Sequence, residues 1–266
     1  MVGPHLSGTS QRFVGVLFLI PFVMVVWIDV KIASIMVTIL AAGMAHEYTK
    51  MLKLPSVVPI MLALLITLQS LPPWLFDAGV AWHSGLAAMS FGISMIYRGI
   101  LAALFALALS ICLYFSSLIL SQADGHRLLL VLAVAVAACD TAAYFVGRFV
   151  GGAKLAPQVS PNKTVSGSVG GVFAAIIVMV CLARIPALAP STALGYINNL
   201  DVNEVLFLGC GVAILSQIGD LLESALKRHF NIKDSGAILP GHGGLLDRFD
   251  GYLFTVPGFY LFFFTI

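Results

Sequence analysis

At 266 residues, 60% of them hydrophobic and only 10% charged, this chain has too little polar surface to meet water on every side, because a soluble domain is about a quarter charged. A mean hydropathy of +1.02 excludes a water-soluble globular protein. A net charge of +2 is too small to indicate nucleic-acid binding. The composition predicts an all-α, polytopic integral membrane protein.

A membrane-spanning helix needs about 20 predominantly apolar residues. In chain order, the apolar runs predict about nine transmembrane helices, near 13–29, 32–49, 54–71, 79–97, 99–121, 127–149, 167–185, 204–226 and 249–266. The run from Phe13 is too long for a signal-peptide core and lacks a small-residue cleavage site, so it reads as a retained anchor. Asp29, Val30 and Lys31 alone separate the first two runs, and His83, Ser84 and Gly85 interrupt the fourth. None of the runs alternates with a period of two, which argues against a β-barrel.

Cytoplasmic loops retain Lys and Arg. Nine spans collect Arg12, Lys50, Lys53, Arg98, Arg148, Lys154, Lys163, Lys227, Arg228, Lys233 and Arg248 on one side, against Lys31, Arg127 and Arg184 on the other. Eleven against three predicts an N-terminus inside. Cys112, Cys139, Cys181 and Cys210 fall in apolar runs without paired spacing, and read as small buried hydrophobes rather than a disulfide or zinc framework.

The chain forms a single membrane domain, 1–266, with two unlike parts. Residues 1–125 have few polar features; Glu47 in Ala-His-Glu-Tyr is a functional candidate there, but its place at a span end favours a solvated role. Residues 126–266 carry intramembrane carboxylates and two polar loops, at 150–166 and 227–248, which the span count puts on one face.

An ionisable side chain inside a bilayer costs at least about 2.5 kcal/mol, so each is a functional candidate. Asp140 lies in the sixth run, and Asp220 and Glu223 in the eighth. The first two sit roughly 12–14 Å below the inside ends of their helices. Asp220, Ser224 and Lys227 share one helix face at i, i+4 and i+7. That stripe suits a metal–phosphate site, while Glu223 with Lys227 can equally be an internal ion pair. Ala143, Gly147 and Gly151 form a small-residue stripe that predicts close helix packing.

The first loop joins Lys154, Ser160, Lys163 and Thr164 to Gly167, and donors of these types near a helix start suit phosphate. The second exposes Pro240, Gly241, Gly243 and Gly244 around His242, a group that titrates near neutral pH. Asp247 and Asp250 follow at i and i+3. Carboxylates around a basic, glycine-rich loop are what phosphoryl or nucleotidyl transfer requires, since Mg²⁺ takes one or two carboxylates plus substrate phosphates.

The stretch from Ser224 to Asp250 resembles the signature of the phosphatidate cytidylyltransferases (CDP-diacylglycerol synthases), S-x-L-K-R-x(4)-K-D-x-G-x(2)-L-P-x-H-G-G-x-x-D-R-x-D. Ser224, Leu226, Lys227, Arg228, Lys233, Asp234, Gly236, Leu239, Pro240, His242, Gly243, Gly244, Asp247, Arg248 and Asp250 all fit it. Gly219-Asp220-Leu-Leu-Glu223-Ser, Asp140-x-x-Ala-Tyr144-x-x-Gly147 and Lys154-Leu-Ala-Pro with Ser160-Pro-x-Lys163-Thr164-x-x-Gly167 are similar to the same family. The likeness is strong over about 140–255 and general before that. Ser166 stands where many members carry an acidic or amide residue, and is left out of the catalytic set.

The resemblance implies a CTP-dependent, Mg²⁺-requiring homodimer in a bacterial cytoplasmic (inner) membrane, with its site facing the cytoplasm. It implies Asp220 and Asp247 as metal ligands, with Asp140, Glu223 and Asp250 as rivals, and K⁺ as a second cation. Lys163, Lys227, Arg228 and Arg248 would neutralise CTP and phosphatidic acid. His242, Gly243 and Gly244 would contact phosphate, or His242 would relay a proton. Ser160, Thr164, Ser224 and Lys233 complete the expected substrate contacts. The competing readings are a CTP enzyme with another lipid acceptor, and a transporter whose Asp140, Asp220 and Glu223 carry cations. The D-G-x-x-A-R arrangement of CDP-alcohol phosphotransferases is absent.

Overall fold

A computed structural model describes residues 29–55, 57–71, 75, 79–184, 200–236, 238 and 243–264. In chain order the elements are α1 (Val30–Leu52), α2 (Val58–Thr67) with a 3-10 turn at Leu68–Ser70, α3 (Gly79–Arg98), α4 (Ile100–Ser121), α5 (Gly125–Phe149), β1 (Lys154–Ala156), β2 (Ser160–Thr164), α6 (Val165–Ala183), α7 (Val202–His229), α8 (Leu246–Phe249) and α9 (Tyr252–Phe264). The protein is a helical membrane protein.

Five of these helices, α1, α4, α5, α6 and α7, are long and apolar enough to cross a bilayer. The run at 13–29 lies outside the described residues. The run at 54–71 is only a ten-residue helix and a 3-10 turn. The 20-residue α3 carries His83, Ser84, Ser90 and Ser94, which dilute its apolar character. The run expected from 249 is divided by the Asp250–Gly251 turn into α8 and the 13-residue α9, which contains Pro257.

Local chemistry explains the helix ends. Asp29, expected to mark a tight turn, is the N-cap of α1, its Oδ1 accepting from the amides of Lys31 at 2.6 Å and Ile32 at 3.2 Å. Asp201 and Glu204 form a reciprocal capping box at the start of α7. Gly99 alone joins α3 to α4, at φ 83° and ψ −174°, backbone space that is essentially reserved for glycine.

Among the described residues, the all-helical expectation has one exception. Gly151 and Gly152, at φ 66° and 102°, end α5 and turn the chain into an antiparallel ribbon that pairs Lys154 with Thr164 and Ala156 with Ser160. The Thr164 hydroxyl then caps α6, accepting from the Gly167 amide at 3.1 Å.

The small-residue stripe does bring two helices together, α5 and α6. A Cβ on Gly167 would lie 3.1 Å from the Gly147 Cα, and one on Gly171 would lie 2.9 Å from Cys139 Sγ. Gly151 takes no part, since nothing lies within 4 Å of its Cβ position. On the other flank, α6 packs on α7, where Gly209 approaches the Ile176 Cα. Tyr48 anchors α1 in the core: its ring stacks on Phe105, and its hydroxyl donates to Ala102 O at 2.7 Å. Outward faces present apolar side chains such as Ile39, Phe173 and Ile177, as hydrocarbon surroundings demand. All four cysteines are free thiols, but only Cys112 and Cys139 are buried as expected; Cys181 is exposed and Cys210 half-buried.

Gly167→Val would force α5 and α6 apart, since overpacking a close contact costs about 1–3 kcal/mol. Thermal unfolding in detergent should show a lower midpoint, whereas Gly151→Asn, at an open left-handed position, should leave it nearly unchanged.

Candidate active site at the loop-bearing end of the bundle

Asp140 and Asp220 each lie nine residues before the ends of their helices, at Phe149 and His229, which puts them about 13 Å along the axis from that end. Both polar loops contact α7. Arg228 Nε donates to Val159 O at 3.2 Å, tying the ribbon to the end of α7. Lys163 on β2 forms an ion pair with Asp220. Asp220 also accepts from Ser224 Oγ at 3.3 Å, so the stripe expected on α7 is occupied from both sides.

One turn further on, Glu223 is fully buried. Lys227 Nζ stands 2.5 Å from Glu223 Oε2 and 2.7 Å from Asp247 Oδ1. The internal Glu223–Lys227 pair anticipated as one option is therefore present, and it extends to a third member on α8. Asp247 accepts in addition from the Ser235 amide, at 3.2 Å on Oδ1 and 3.0 Å on Oδ2, and from the Gly244 amide at 2.8 Å. Gly243, at φ 83°, passes close to the same carboxylate.

Burial pulls the Asp247 carboxyl upward in pKa. The Lys227 ammonium and the Gly244 and Ser235 amides outweigh it and hold the group below its ordinary value. Its contribution to stability is therefore present above the usual carboxylate pKa of about 4, and is lost as pH falls through the lowered value.

Asp140 is exposed and Asp250 half-buried. Both lie in the electrostatic field of Asp220, and Asp140 also feels Lys163 and Arg248. Among the described residues, no three His, Cys, Asp or Glu side chains stand close enough together to hold a metal ion. The hard oxygens of Asp140, Asp220 and Asp250 nonetheless fit Mg²⁺, which needs only one or two carboxylates when phosphates complete its shell. Asp247 fits less directly, because both its oxygens already carry donors. Thr164 is buried as a helix cap, Ser160 is half-buried, and Lys233 and Arg248 are exposed. Gly244 is buried. His242 lies outside the described residues.

One group was read in the sequence as solvated rather than functional, and another was missed. Glu47 does not end a span, because α1 runs on to Leu52. It is buried, and its Oε2 accepts from the Leu246 amide at 2.9 Å and from Ser235 Oγ at 3.2 Å. The rule that found Asp140 would have found it, had the helix end been placed correctly. Gln217 on α7 bonds to Ser168 on α6, its Nε2 donating to Ser168 O at 3.1 Å. Its signal was an amide inside an apolar run.

A family model described as the cytidylyltransferase family matches residues 10–266. The chain is similar to a phosphatidate cytidylyltransferase of Bacillus subtilis (strain 168), 49% identical over 127 residues, which cover 48% of this chain and 44% of that protein. It is similar also to one of Staphylococcus haemolyticus, 42% identical over 138 residues, covering 52% and 49%. A third, of Staphylococcus aureus (strain COL), is 40% identical over 139 residues, covering 52% and 49%. The chain thus matches about half the length of these curated relatives.

Removing the Lys227 ammonium leaves Glu223 buried and uncompensated. Lys227→Met should lower stability by about 3–5 kcal/mol, and adding Glu223→Gln should recover part of that loss. Thermal midpoints of the two purified variants in detergent test both statements.

Proposed function

The chain belongs to the cytidylyltransferase family, and from that premise we propose that it transfers CMP from CTP to phosphatidic acid, releasing pyrophosphate and forming CDP-diacylglycerol. The observation that carries the reading is the paired lysine–carboxylate arrangement, Lys163 on Asp220 and Lys227 on Asp247, where each polar loop contacts α7. Family membership and the names of the similar proteins support the choice of substrates.

In this mechanism a phosphate oxygen of phosphatidic acid attacks the α-phosphorus of CTP. The bond from that phosphorus to the bridging oxygen breaks, and pyrophosphate leaves with the electron pair. Lys163, Lys227, Arg228 and Arg248 supply positive charge where the triphosphate and lipid phosphate meet, stabilising charge that grows on the leaving group. Asp220, with Asp140 and Asp250 in its field, would hold Mg²⁺. Asp247 would join them by releasing Lys227 or a loop amide, and otherwise holds both in position. When bound, the ion neutralises phosphate oxygens and aligns the reacting groups. Gly243 would let backbone approach phosphate closely, whereas Gly244 is buried with its amide on Asp247; Ser160, Ser224 and Lys233 are further candidates for contact. His242 would contact phosphate from the same loop. K⁺ is proposed as a second cation.

The proposal extends to topology: nine spans, a homodimer, and N-terminus and loops on the cytoplasmic side of a bacterial inner membrane. The eleven-to-three distribution of Lys and Arg supports that orientation. A site some 13 Å inside the helix ends suits a reaction between a nucleotide from water and a lipid from the bilayer.

The test is pyrophosphate release by purified protein given labelled CTP. Turnover should require both phosphatidic acid and Mg²⁺, and stop on chelation. Asp220→Asn should lower kcat by about 10²–10³-fold, as removal of a transition-state charge stabiliser does, with the chain still monodisperse. Near-parental turnover in that variant would remove Asp220 from the metal site, and release with another lipid in place of phosphatidic acid would change the substrate.

A further inference from the structure

Glu47 stands apart from the site read in the sequence, on the first described helix. Its buried carboxylate nevertheless touches the 227–248 loop at two places well apart in sequence. Oε2 accepts from Ser235 Oγ and from the Leu246 amide. Gly236 and Gly244 lie so close that a Cβ on either would strike the carboxylate. Leu245 reaches further along the same helix, where its side chain lies against Gly43. From the opposite side Asp247 takes the amides of Ser235 and Gly244. Ser235 therefore binds two carboxylates, Glu47 through its hydroxyl and Asp247 through its amide.

We propose that Glu47 is a positioning residue for the transfer reaction: it clamps the loop's Ser235–Gly236 segment to its Gly244–Leu246 segment, so that Gly244 and Asp247 hold the geometry in which Asp247 engages Lys227. The bonds go to backbone and to one short side chain, so the clamp sets loop shape rather than charge at the reacting atoms. Gly236 and Gly244 are glycines here because the carboxylate fills the space a side chain would need. The N-terminal helices thus belong to the enzyme and are more than an anchor. The inference rests on the proposed function only for its kinetic arm.

The experiment measures hydrogen exchange and CTP turnover on the full chain in detergent, for the parent, Glu47→Ala, Glu47→Asp and Gly236→Ala. Glu47→Ala should speed exchange about tenfold or more in peptides holding Ser235–Gly236 and Gly244–Leu246, because a lost buried acceptor typically shifts such an equilibrium by this order. Peptides of α5, α6 and α7 should stay at parental rates. kcat should fall by about 10–100-fold, as for an ångström-scale misplacement of reacting groups, with a smaller change in KM for CTP. Glu47→Asp, which keeps the carboxyl group but is one methylene short, should give the same pattern, and serves if the alanine variant does not fold. Gly236→Ala should also free the loop, and should add little in a Glu47→Ala background, where the space has been vacated. Parental loop exchange in Glu47→Ala or Glu47→Asp, or faster exchange spread evenly over all helices, overturns the proposal. Because exchange is read without substrate, a protein that fails to use CTP would refute the proposed function and leave the clamp separately decided.

Discussion

A charge in a low-dielectric slab must be matched or removed, and most of this site follows from how one ammonium is matched. Lys227 is held between Glu223 on its own helix and Asp247 on α8. Without it, a fully buried carboxylate on α7 would be stranded, a cost larger than most single contacts can offset. With it, α7 and α8 are fastened together, and Asp247 is oriented so that its remaining lone pairs receive the loop amides. Asp247 from this side and Glu47 from α1 together take the loop's donors.

The second lysine–carboxylate pair differs in kind. Lys163 and Asp220 each remain partly accessible, and they join elements far apart in sequence. A pair of that sort is weak as a source of stability and easily rearranged when a stronger ligand arrives. The buried pair fastens α8 to α7, while the open pair joins β2 to α7. Glu47 and Gln217 do the quieter work of fixing helix to loop and helix to helix, with neutral or backbone donors that cannot be exchanged for phosphate.

Much of this was legible in the sequence. Sparse charge and long apolar runs indicate a helical membrane protein, and Asp140, Asp220 and Glu223 stood out because carboxylates are expensive in lipid. The stripe Asp220, Ser224, Lys227 lies on one face because helical periodicity dictates it. Other features depended on facts that periodicity does not carry. The run from 249 reads as one apolar segment, but the backbone breaks at Asp250–Gly251, where Gly219 lets α7 press against the turn. The ribbon at 154–164 has strand pairing too short to announce itself, and only two left-handed glycines hint at it. Glu47 escaped because a helix boundary misjudged by a few residues turns a buried acid into a solvated one. Thr164 reads as a phosphate donor and its oxygen caps α6, since hydroxyls near a helix start serve either purpose.

The single-glycine joint at Gly99 has a consequence of its own. With no slack between α3 and α4, the two helices share one rotational setting, and α4 in turn offers Ala102 O to the Tyr48 hydroxyl. One inserted residue at that joint would rotate α4 by about 100° about its axis and swing the carbonyl away from the tyrosine. A connector of this length therefore transmits angular register from the outer helices to the helix that bears Glu47, one residue before Tyr48, much as a keyed shaft admits only one orientation of the gear it carries.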